Sequence, residues 1–154
     1  MRYLALVLLI SAAVLGQISS PPQPNDEKYK QEGVVYERVA TRYVFLADGS
    51  STREITARVR VQSDAGLKQT GLLVFHYQRD FDTISFQVRV HKPDGRIIET
   101  AADSALDMPA DITRQAPLYS DLYEKHLTVK GLAIGDTLEY SFRVEQKPLI
   151  PGQF

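Results

Sequence analysis

The sequence predicts an all-β protein: an antiparallel β-sandwich of about seven or eight strands, with one long irregular loop or short helix. Two observations carry this. Several segments alternate apolar and polar residues with period two, the signature of strands with one dry and one wet face. Between them stand glycine-marked turns at the spacing expected of a sandwich or barrel.

The first residues lie outside that body. Residues 1–16 read MRYLALVLLISAAVLG, with Arg2 as the only charge and an apolar run from Tyr3 to Leu15. That run is shorter than the roughly 20 residues that span a bilayer, and Val14 and Gly16 are small enough for signal-peptidase cleavage before Gln17. The expectation is a signal peptide over residues 1–16 and a periplasmic or secreted protein, with an uncleaved tether as the alternative. Residues 17–33 read as a flexible linker, because Pro21, Pro22 and Pro24 favour extended backbone and Asp26 to Lys30 add nothing to a core. Cleavage leaves 138 residues, enough for one domain that buries about two-thirds of its unfolded surface. The β-sandwich is assigned to residues 34–154.

In the body, Val34–Ala47 and Ser51–Gln62 flank Asp48-Gly49, an Asp-Gly pair of the kind that closes hairpins. Ile55, Ala57, Val59 and Val61 alternate with Thr56, Arg58, Arg60 and Gln62. Gly66 and Gly71 bracket a looser loop before Leu72–Gln78. Ile84–His91 alternates over eight residues and turns through Pro93-Asp94-Gly95 into Arg96–Thr100, Pro93 presetting φ ahead of the turn. Ala101–Leu122 carries Pro109 and Pro117 and no sustained alternation, so it reads as a long loop or a short helix near Ala102–Leu106. Gly135-Asp136 turns between Tyr123–Val129 and Thr137–Glu145, where Leu138, Tyr140, Phe142 and Val144 face one way.

Composition removes whole classes of chemistry. With no cysteine there is no thiol catalysis, no disulfide, no iron–sulfur cluster and no Cys-rich zinc site. Eighteen basic against nineteen acidic residues give no field for nucleic acid, and none is expected as a partner. No membrane contact is expected beyond the signal segment. His76, His91 and His126 have no metal-ligand spacing, and there is no Gly-x-Ser-x-Gly elbow, so no catalytic, metal or cofactor residue is assigned. Arg58 and Arg60, with Arg53 beside them, read as an anion or polysaccharide surface or, more simply, as a charge-protected solvent face. The aromatics lack tryptophan; Tyr36, Tyr43, Tyr77, Tyr119, Tyr123 and Tyr140 offer a stacking platform or core.

Three ordered segments carry a resemblance: Tyr43–Ser50 (YVFLADGS), Val88–Arg96 (VRVHKPDGR), and Leu118–Asp121 (LYSD) followed by Leu132–Tyr140 (LAIGDTLEY). Together they resemble the bacterial domain of unknown function that precedes transglutaminase-like domains in exported proteins. The resemblance implies a β-sandwich accessory module without an established activity of its own. It also implies further β-structure after Phe154, then a catalytic domain with a Cys–His–Asp triad; this chain stops at Phe154 and holds no Cys, so the expectation is either a sandwich truncated at its C-terminus or a module that works without the usual partner. The matching residues make turns (Asp48, Gly49, Pro93, Asp94, Gly95, Gly135, Asp136) and core, not chemistry. Asp103, Asp107, Tyr119 and Asp121 belong to the candidate contact loop, with Asp121 expected to accept backbone N–H groups. The expected function is a non-enzymatic module for domain packing or for ligand and protein recognition. Its implied partner is a transglutaminase-like or peptidase-like domain; a free-standing module for a cell-envelope protein or glycan is the alternative.

Overall fold

A computed structural model describes residues 28–116, 121–148 and 150. The signal-peptide expectation and Tyr119 lie outside the described residues, as does most of the expected linker. The described end of that linker forms turns, and the Gln62 side-chain amide donates to the carbonyls of Tyr29 and Glu32 at 2.7 and 3.0 Å.

The described chain is an all-β sandwich of two antiparallel sheets. The larger holds β1 (Val34–Phe45), β2 (Ser51–Val61), β4 (Asp82–His91), β5 (Ile97–Thr100) and β8 (Thr137–Gln146), in the order β1-β2-β8-β4-β5. The smaller holds β3 (Leu72–Gln78), β6 (Leu106–Pro109) and β7 (Leu122–Thr128), in the order β3-β7-β6. The alternating segments became these strands because alternation gives each a face to bury. Ala57, Val59 and Val61 of β2, Val88 and Val90 of β4 and Leu138 of β8 form the inner face of the larger sheet, closed by Leu127 and Val129 from above. Phe75 of β3 stacks on Phe142 at 4.5 Å between ring centres and on Phe86 at 5.2 Å. Such ring pairs contribute about 0.5–1.5 kcal/mol each beyond area burial.

Two hairpins share one turn. In Leu46–Ser50 and Lys92–Arg96 the first residue exchanges backbone hydrogen bonds with the fourth and fifth, and Gly49 and Gly95 take φ of 85° and 87°. Asp48 Oδ1 accepts from the Ser50 N–H and hydroxyl, and Asp94 Oδ1 from the Arg96 N–H. The Ser50 side chain, then its N–H, hold the Asp48 carboxyl below the usual range; the Arg96 N–H, then its guanidinium, do so for Asp94. Gly135 also takes positive φ, but the connection it serves crosses from β7 in one sheet to β8 in the other.

Two elements depart from expectation. The segment read as a looser loop between Gly66 and Gly71 holds a helix, α1 (Asp64–Thr70), capped by the Ser63 hydroxyl on the Gly66 N–H. A Cβ on Gly66 would stand 1.9 Å from the Gly33 carbonyl oxygen, so only glycine lets α1 lie this close to the start of β1. The stretch after Ala101 is more regular than an irregular loop: a 3-10 turn (Ala102–Ser104), then β6 at the edge of the smaller sheet, then α2 (Asp111–Gln115). Pro109 is tolerated because it ends an edge strand, where the missing N–H breaks no ladder.

One turn residue does more than turn. Asp136 is 2% exposed. Its Oδ2 accepts from Lys92 Nζ at 2.6 Å and from the Ala133 N–H at 2.7 Å, and its carbonyl accepts from the Val61 N–H at 3.0 Å. Lys92 Nζ also donates to the Gly131 carbonyl at 2.6 Å. Replacing Asp136 by Ala leaves the partly exposed Lys92 ammonium without its counter-charge and the Ala133 N–H without its acceptor, an expected loss of about 1–3 kcal/mol. Urea unfolding of the variant, read by the shift in midpoint at constant slope, checks this.

Candidate functional site

The smaller sheet cannot cover the whole inner face of the larger one, and the exposure along each cross-strand row shows where the cover stops. Tyr36 stands opposite Val59, and Val59 opposite Leu138; Val39 stands opposite Ala57. Val59 and Ala57 are 1% and 3% exposed, whereas Tyr36 and Val39 are 53% and 58%. The boundary therefore falls between β1 and β2. Beyond it lies an open apolar strip on β1, formed by Tyr36, Val39, Tyr43 and Phe45. Tyr43 and Phe45 lie nearly parallel, 6.3 Å apart. Tyr140 marks the rim. Burial, then the neighbouring Tyr36 phenol, raises its pKa above the usual tyrosine range.

On the smaller sheet, the inner face ends in a polar cluster around Asp107 of β6. Tyr77 donates its hydroxyl to Asp107 Oδ1 at 2.6 Å, while Arg79 and Lys125 approach Oδ2 at 3.1 and 3.3 Å. The Arg79 guanidinium lies 3.4 Å above the centre of the Tyr123 ring. Burial pushes the Asp107 carboxyl up, but the Tyr77 hydroxyl, Lys125 and Arg79 outweigh it and hold it below the ordinary value. Burial, then the Asp107 hydrogen bond, pushes the Tyr77 phenol up.

The candidate contact-loop residues scatter. Asp103 is exposed in the 3-10 turn, and Asp107 is occupied by the cluster. The Asp121 carboxylate lies 3.4 Å from the Gln78 side-chain amide, and the Asp121 carbonyl accepts the Arg79 N–H at 2.8 Å. Each histidine meets a carboxylate: His76 and His126 approach Glu124 at 3.4 and 2.7 Å, and His91 approaches Glu139 at 3.6 Å. His126 lies inside β7. Among the described residues, no group of three or more His, Cys, Asp or Glu side chains is placed to hold a metal ion.

Arg58 and Arg60 point to the outer face, where Arg58 bridges Glu37 and Glu139 at 3.1 Å each. The sequence placed these two arginines outward by alternation, but not their carboxylate partners on β1 and β8. Nor did it signal the open strip, because exposed and buried strand residues share the same alternation.

The family model for a domain of unknown function with a solved structure, DUF3857, matches residues 47–154. The chain belongs to the DUF3857 family. The match begins within the β1–β2 turn, so β1 and its open strip lie before the DUF3857 match. Among solved structures, the chain is similar to a candidate protease from Parabacteroides distasonis, with a TM-score of 0.70 and 23% identity. The likeness covers 75% of this chain and 23% of that one, and at this identity it concerns the fold alone. No curated protein matches the sequence.

Because the Asp107 carboxyl is depressed, its contribution is present above the unfolded-state value near about 3.9 and lost as pH falls through the lower folded value. The thermal stability of wild type should therefore lose this contribution as pH falls below about 4. Asp107→Asn should start less stable at neutral pH and show a shallower acid slope.

Proposed function

We propose that this DUF3857 domain is a non-enzymatic, exported accessory module that packs against a peptidase-like or transglutaminase-like domain of the same polypeptide. The open β1 strip carries this reading. Tyr36, Val39, Tyr43 and Phe45 present large apolar side chains on the face that elsewhere in the larger sheet is core. Clustered exposed apolar side chains on a sheet face, here interrupted only by Thr41, mark a place where another body docks. The occupant is an adjoining domain rather than a small ligand, since the strip runs along a strand and is lined on only one side.

Two further facts support this. The P. distasonis protein of similar fold carries a further three-quarters of its length outside the matched region, and its description is that of a candidate protease. The chain itself supplies no thiol for a Cys-dependent reaction. Export is supported by the apolar run Tyr3–Leu15 behind Arg2. The role of the module is to hold its neighbour in register and orient it, with the Lys92–Asp136 pair and the stacked phenylalanines keeping the docking face stiff.

The reading frame downstream of Phe154 tests the proposal. An in-frame continuation encoding a Cys, His and Asp set is expected, and a stop codon at that point would overturn the same-polypeptide form. In the continued protein, Tyr43→Ser with Phe45→Ser should lower the unfolding temperature. In the 154-residue chain the same pair should change stability by no more than about 0.5 kcal/mol per site, as exposed positions do.

A further inference from the structure

The opposite face of the larger sheet carries a second feature, independent of the β1 strip. Cross-strand register places Arg38, Arg58, Glu139, Arg89 and Glu99 in one row across all five strands. The next row in the same register is Ala40, Thr56, Ser141 and Gln87, and the row beyond it is Arg42, Glu54, Arg143 and Ser85. A neutral row, short except for Gln87, between two rows of mostly long, charged side chains is a trough, open at Ser85. Its wall on the Arg38 side and its floor enclose an open groove of about 400 Å³.

The charges of the wall are unevenly satisfied. Arg58 is held by Glu37 and Glu139, and Arg89 by Glu99 at 2.9 Å. Arg38 faces Arg58 directly across the strands, an arrangement of like charges that is unfavourable by itself. Arg38 makes no ion pair or hydrogen bond among the described residues, and neither does Arg42 on the other side of Ala40. The β1 end of the trough therefore carries an excess of positive charge, two guanidinium groups without a hydrogen bond flanking a small residue, with Glu54 the one carboxylate of these rows opposite them. A guanidinium fork is the side-chain geometry that grips a carboxylate through two parallel hydrogen bonds.

We propose that this trough binds an extended peptide segment, with an acidic side chain seated between Arg38 and Arg42. The floor fits a peptide. From Ala40 to Gln87 it crosses four strands at about 4.8 Å spacing, roughly the reach of four extended residues. Its hydroxyls and carboxamide, on Thr56, Ser141 and Gln87, match the donors and acceptors of a peptide backbone. The three rows contain no aromatic ring, so there is no platform for a sugar to stack on.

The test titrates the 154-residue chain, at low and at physiological salt, with the acetylated, fluorescein-labelled pentapeptide Glu-Ser-Glu-Ser-Ser, its Gln-Ser-Gln-Ser-Ser counterpart and trigalacturonate. The proposal expects salt-sensitive binding of the acidic peptide only. Arg38→Glu breaks no internal pair and should weaken it about tenfold or more, the worth of one charge-assisted hydrogen bond. Ser141→Leu fills the floor and should weaken it as well, with folding of both variants verified by urea unfolding. Equal binding of the Gln peptide, indifference to both substitutions, or trigalacturonate binding as tightly at the same residues would each overturn it.

Discussion

The ion pair between Lys92 and the buried Asp136 closes the end of the β4–β8 ladder, one residue beyond His91 and Thr137. Lys92 opens the β4–β5 hairpin, and Asp136 sits where the chain crosses from the smaller sheet to the larger. Through its carbonyl, Asp136 also anchors the end of β2. A buried carboxylate is costly to desolvate and is tolerated when charge and hydrogen bonds compensate it; the Lys92 ammonium, itself partly exposed, lies 2.6 Å away. The Ala133 N–H adds a second donor to Asp136, and the Gly131 carbonyl a second acceptor to Lys92. The crossing between sheets is pinned at its end, where the ladders to β4 and β2 take over and set the register of β8.

From that register two surfaces follow. On the inner side, three strands lie over five, and the cover stops between β1 and β2. That unequal layering leaves the strip of Tyr36, Val39, Tyr43 and Phe45 open. On the outer side, the same pairing lines up charged side chains into rows across the strands, with a neutral row between them. Neither surface belongs to a single strand; both come from how neighbouring strands are paired.

Much of this was legible in the sequence. The alternation in Ser51–Gln62, Ile84–His91 and Thr137–Glu145 located β2, β4 and β8 to within two residues at each end, because a half-buried strand must obey period two. The Asp-Gly pairs located both hairpins. Helix α1 escaped because it is only seven residues long and contains Gly66, although Ser63 followed by Asp64 is a capping signal. Strand β6 escaped because four residues ending in proline are too few to show alternation. Asp107 and Asp121 were singled out as loop residues, yet a loop reading could not reveal that Tyr77, Arg79 and Lys125 converge on Asp107 from two other elements.

By itself, the sequence determined the class of the fold, the faces of its principal strands, the places of its tight turns and the absence of thiol chemistry. These are local properties, decided by side-chain periodicity, by the φ a residue can adopt and by composition. The tertiary structure alone decided which strands neighbour which, how far one sheet covers the other, and that a turn aspartate becomes the buried partner of a lysine 44 residues away. Those outcomes depend on contacts between distant segments, whose energies belong to pairs of residues and are written in neither residue separately.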